Sequence, residues 1–143
     1  MFGLSMKEVL FKTVSNACYN CKDTYKFSLL ERLDELNNAD EETADKINTE
    51  ITYAYFNAVK NTVVDSFRLS SPAIYARIQL ALRSPSVCGY DIDANAGMMA
   101  GSVFAICYFA IKNCVAPAKL CIKLNHIQGD LMQKVLHEIA NEM

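Results

Sequence analysis

Apolar residues recur at three- and four-residue steps from near the start of the chain. Leu10, Val14, Ala17 or Cys18, Cys21 and Tyr25 fall on one face of a helix, while Lys7, Lys12, Asn16 and Asn20 fall outside it. Ser5 with Glu8 forms a capping box, in which the serine oxygen accepts from a free amide and the glutamate reaches back, so the first helix is predicted to start there. Phe27 to Leu36 carries Leu29, Leu30, Leu33 and Leu36 between charged residues and predicts a short amphipathic helix. Asn37, Asn38 and Asp40 break it. Asp40 is placed to cap a third helix whose first turn, with Glu41, Glu42 and Asp45, suits the positive end of a helix dipole.

That third helix is predicted from Glu41 to about Leu69 and carries two apolar stripes. One holds Ile47, Ile51, Ala54, Tyr55 and Ala58; the other holds Phe56, Val59, Val63 and Phe67. A helix apolar on two faces is either sandwiched or broken into two pieces. Ser71-Pro72 restarts the chain, because serine caps well and proline fits the first helical turn. Ile74, Ile78 and Leu82 form the stripe of this fourth helix, and Ser84 to Asp93, with Pro85 and Gly89 as breakers, reads as a loop. From Ala96 to Ile111 there is no charged side chain. This stretch is shorter than the roughly 20 residues of a membrane span. Gly97 and Gly101 form a G-x-x-x-G pair that admits a neighbouring helix, so a central, fully surrounded helix is predicted. Pro117 opens a further helix with Leu120, Cys121 and Leu124. Gly129-Asp130 is predicted to end it and cap a last one, which holds Leu131, Val135, Leu136 and Ile139. No strand-like alternation occurs. The expected class is all-α, a bundle of about six to eight helices around a central hydrophobic helix.

Composition narrows the function. A chain of 143 residues with 52% apolar residues is one domain, 1-143, with enough length for a real core. A net charge of -2 supplies no field for nucleic acid. Six cysteines raise the question of staples or metal. Cys107, Cys114 and Cys121 recur at a helical period, and free cysteine packs as a small hydrophobe. Cys18 and Cys21 form one C-x-x-C pair without a second pair of matching spacing, so no metal is expected. Met1 to Val9 shows no secretory signal, which predicts reduced thiols in a cytoplasmic protein. No nucleotide, dinucleotide, zinc-protease or serine-hydrolase fingerprint is present, so neither enzyme activity nor a cofactor is expected.

The charges are sorted. Glu31 to Glu50 holds half of the acidic residues, whereas Ile51 to Tyr90 holds Lys60, Arg68, Arg77 and Arg83 against the single acid Asp65. A basic band on amphipathic helices suits a groove that accepts an amphipathic helix bearing a carboxylate. Ordinary surface charge accounts for the band equally well.

Two segments resemble a known family. Ser5-Met6-Lys7-Glu8-Val9-Leu10-Phe11, with its apolar continuation to Tyr25, resembles the first helix of Bcl-2 family apoptosis regulators of the compact, divergent viral kind. Asn95-Ala96-Gly97-Met98 stands where that family has N-W-G-R at the start of its hydrophobic central helix. The resemblance implies a Bcl-2-like bundle and a pro-survival, anti-apoptotic role. The homology-three helices of pro-apoptotic partners would be sequestered in a hydrophobic groove.

By that resemblance the groove takes Asn95, Gly97, Met98, Ala100 and Gly101 from the central helix, and Val59, Val63, Phe67, Ile74, Ile78 and Leu82 as apolar pockets. Met98 replaces the family's arginine, which pairs with an aspartate of the bound helix, and Arg77 and Arg83 are the expected substitutes. No hydrophobic tail follows the last helix, so no transmembrane anchor is expected. Location at the mitochondrial surface would come through partners, in the host cell cytoplasm if the protein is viral. A vacant apolar groove would favour a homodimer. The alternatives are a helical adaptor or pathogen effector with another protein partner, and a cysteine-ligated metal protein.

Overall fold

The computed structural model describes residues 5–69, 71–83 and 99–142. Their elements are α1 (Met6–Asn20), α2 (Lys22–Glu31), α3 (Leu33–Asn38), α4 (Glu41–Ser66), α5 (Pro72–Arg83), α6 (Met99–Lys112) and α7 (Ala118–Glu142). No strand occurs among the described residues, and the class is all-α.

The predicted starts are realised through side-chain caps. Ser5 Oγ accepts from the Glu8 amide at 3.3 Å, and Asp40 Oδ1 accepts from the Thr43 amide at 2.8 Å. Pro72 is the first residue of α5, where its missing N–H costs no hydrogen bond. α1 breaks at Cys21, yet its buried face runs across the break through Leu10, Val14, Cys18, Cys21, Tyr25 and Leu29. The break leaves last-turn carbonyls short of partners. The Tyr55 hydroxyl, from the middle of α4, donates to the Cys18 carbonyl at 2.8 Å and fastens the two helices.

The segment predicted as one helix over Phe27 to Leu36 divides at Arg32 into α2 and α3. Arg32 pairs there with Glu35 and with Glu50 of α4, which holds the turn against α4 and keeps the guanidinium at the surface. Leu30 lies exposed, about 100° round α2 from the buried Leu29. α4 is unbroken from Glu41 to Ser66. Of the two arrangements open to it, the sandwiched one is adopted: α4 packs against α1, α2, α3, α5 and α6, and both stripes bury residues.

α6 is the central helix, in contact with α1, α4, α5 and α7. Met99 to Cys107 is buried throughout except for the half-buried Ser102. Asn113, at φ 55°, ends α6 in the left-handed conformation that asparagine tolerates, and the chain folds back as α7. α6 and α7 approach so closely that a Cβ on Gly101 would stand 2.6 Å from the Cys121 carbonyl oxygen. At this approach Gln128 Oε1 accepts from the Ala100 amide at 2.7 Å, and Asn125 Oδ1 accepts from the Gly101 amide at 2.8 Å. Two of the four amides that open α6 are thus satisfied by the neighbouring helix.

Gly129-Asp130 does not end a helix, contrary to the sequence expectation. α7 continues through both, because the buried stripe Leu124, Gln128, Leu131, Met132, Val135 and Ile139 keeps its period across the glycine. Burial along that face outweighs the roughly 1 kcal/mol helix penalty of one glycine. No helix among the described residues is long and apolar enough to cross a membrane.

The two glycines respond oppositely to a methyl group. Gly101→Ala drives a Cβ into a backbone carbonyl and should destabilise the fold by about 1–3 kcal/mol. Gly129→Ala meets open space and should stabilise it by about 0.5–1 kcal/mol. Urea unfolding of both variants measures the difference, and equal shifts would contradict the α6/α7 contact.

Candidate functional site

α4 and α5 carry buried seams and, beside them, half-exposed shoulders. Val59, Val63 and Phe67 of the α4 side and Ile78, Ala81 and Leu82 of α5 are buried. One step round each helix, Lys60, Asn61, Val64 and Asp65 face Tyr75, Gln79 and Arg83, together with the buried Leu82, across a cleft of about 350 Å³. The α5 contributions recur at helical spacing and share one face.

The cleft has an apolar wall and charged rims. Val64, Tyr75 and Leu82 supply the wall. Lys60 sits with its ammonium 4.8 Å from the centroid of Phe56, one turn earlier on α4. Burial pulls its pKa below the ordinary lysine value. Arg83 lies exposed at the end of α5, and Asp65 lies toward the turn between the helices.

The sequence-predicted groove residues are distributed differently from expectation. Val59, Val63, Phe67, Ile78 and Ala100 are core residues, not walls of an open groove, because the stripe that packs a helix against its bundle is consumed by that packing. Gly101 is closed off by α7. Ile74 is half-buried, and Arg77 is exposed and does not line the cleft. Leu82 and Arg83 do line it. Asn95, Gly97 and Met98 lie outside the described residues. Lys60 was marked from sequence only as part of the basic band, and Val64, Tyr75 and Gln79 were not singled out. The signal for them was the set of positions adjoining each stripe, which mixes polar and apolar residues and so does not stand out as a period.

The cysteines separate by environment. Cys18 and Cys107 are fully buried, and Cys21 is buried with its sulfur 3.3 Å from Thr62 Oγ1. Cys114 is exposed in the turn before α7, and Cys121 is half-buried. The regular spacing of Cys107, Cys114 and Cys121 therefore crosses a turn and does not mark one helix face. Burial, reinforced by the neighbouring Cys21, pushes the Cys18 thiol up to about 12, although the Tyr55 hydroxyl opposes the shift. Among the described residues no group of three or more histidine, cysteine or acidic side chains comes together as a metal site. His126 lies exposed on the outer face of α7, and His137 borders a separate cleft between α1 and α7.

Comparison with family models, curated proteins and solved structures finds no match for this chain.

Two predictions concern these buried groups. Cys18 rises from its ordinary 9.0, and burial also raises Tyr25 and Tyr55 above their ordinary 10.0. The folded state therefore keeps protons that the unfolded chain releases. Their contribution to stability is complete below about pH 9 and is lost as pH rises from there toward 12 and beyond. Denaturant midpoints measured from pH 7 to pH 11 should fall above pH 9, and a flat profile would refute the burial of these groups. Among the cysteines of the described residues, Cys114 should alkylate first at pH 8 and Cys18 and Cys107 only after unfolding, as read by peptide mass spectrometry.

Proposed function

We propose that this protein is a binding module whose α4/α5 cleft receives an amphipathic helix bearing a carboxylate, and that it acts as a pro-survival regulator of the Bcl-2 kind. What supports this is the convergence of Lys60 and Arg83 with Val64, Tyr75 and Leu82 on one cleft. Apolar anchors from one face of a helix would enter the wall, and an acid on the flank of that face would meet the cations. The cleft has room for anchor side chains but not for a whole helix, so the partner lies along its mouth. A central apolar helix surrounded by amphipathic ones is also what the resemblance implies.

The mechanism is sequestration. A homology-three helix held by this protein is withheld from the step that permeabilises a membrane. Specificity comes from the spacing of anchors and from the sign of the rim charges, which steer encounter and reject like charge.

Calorimetric titration with a panel of pro-apoptotic homology-three peptides provides the test. At least one should bind with a Kd in the micromolar range or below, about -8 kcal/mol or better. Absence of heat for every peptide at high micromolar concentration would overturn the proposal. Gln79→Glu preserves shape and helix propensity but adds a negative charge to the wall, and should weaken the best peptide by roughly tenfold.

A further inference from the structure

We propose that Lys60 is the group that recognises the partner's carboxylate, in preference to any of the arginines of the basic band; this rests on the α4/α5 cleft being the binding site. The cations available are Lys60, Arg68, Arg77 and Arg83. Arg68 and Arg77 do not line the cleft, and both are exposed. Arg83 lines it but is exposed as well, in water that screens its charge. Lys60 alone of the four is half-buried.

Three features fit Lys60 for the task. Its ammonium is held near the Phe56 ring, so the charge is positioned before a partner arrives. Ion pairs among the described residues are made by Lys26 and Arg32, and among those residues no carboxylate lies within ion-pair distance of Lys60. Burial has already stripped part of its water, as its lowered pKa reflects. A cation desolvated in the free protein gives up less hydration on pairing than an exposed one, so the incoming carboxylate gains more of the attraction.

Asp65 sets the polarity of the partner. The chain runs along α4 and returns along α5, which places Asp65 and Tyr75 toward the connecting turn and Lys60, Gln79 and Arg83 toward the other end. Lys60 and Asp65 are about 7.5 Å apart along the α4 axis. A carboxylate at the turn end would meet Asp65 and be repelled. The acid of the partner is thereby directed to the Lys60 end, and a base or hydroxyl four or five positions along the partner helix would suit Asp65.

The experiment uses a fluorescein-labelled homology-three peptide and its counterpart with the aspartate changed to asparagine. Both are titrated by fluorescence polarisation against the full chain and the variants Lys60→Met, Arg77→Met and Arg83→Met. Methionine keeps most of the stem volume, and circular dichroism checks that each variant is folded. The unaltered protein should prefer the aspartate peptide by tenfold or more. Lys60→Met should erase that preference while holding the asparagine peptide within about twofold, Arg77→Met, outside the cleft, should retain it, and Arg83→Met should reduce it less than Lys60→Met does. A preference that survives Lys60→Met, or that Arg83→Met alone removes, overturns the role of Lys60 and leaves the cleft standing. Failure of both peptides to bind the unaltered protein overturns the cleft itself.

Discussion

α6 occupies the middle of the bundle with two amides of its first described turn met from another helix. A buried amide without an acceptor costs about 1–3 kcal/mol. Asn125 and Gln128 of α7 supply acceptors to Gly101 and Ala100, and they reach because Gly101 presents no side chain to hold α7 away. This contact fixes the register of the α6/α7 pair. It also requires α7 to be helical through Asn125 and Gln128. With α7 set on one side, α1, α4 and α5 enclose α6 on the others.

Much of this order was legible in the sequence. The caps at Ser5 and Asp40, the restart at Pro72, the central position of the apolar helix and the close approach at Gly101 all follow from residue types whose physics is local. The failures share a cause. Gly129 and Asp130 carry a strong local signal for a helix end, but a continuous buried face overrides it. Arg32 carries a weak local signal, and its division of α2 from α3 accompanies a tertiary ion pair with Glu50 that no window of neighbouring residues contains. The acceptors for the α6 amides were equally hidden, because nothing local distinguishes a capping Gln128 from a surface glutamine.

The candidate site was less legible than the fold, and for a geometric reason. Hydrophobic periodicity identifies the residues that a helix spends on its own bundle, as Val59, Val63 and Ile78 do. A surface left for a ligand lies on the flanks of that stripe, where Lys60 and Val64 alternate with Asn61 and Asp65. Such a flank has no period of its own and emerges only when a second helix presents its flank opposite. The basic band was visible in the composition of Ile51 to Tyr90. Which of its cations is desolvated was not, since that depends on the placement of Phe56 beneath one of them.

The tie between Lys26 and the α7 residues Glu138 and Glu142 joins positions 112 and 116 residues apart. α1 and α2 both lie against α7, so the first helices of the chain dock on the last. By contrast, α6 and α7 are joined by a turn of a few residues and can pair with little loss of chain entropy. Loop-closure entropy grows with the separation of the joined residues, and contacts of long range slow folding more than local ones. The bundle is therefore built so that its innermost hairpin can assemble from neighbouring sequence, while its outer seal waits until nearly the whole chain is present.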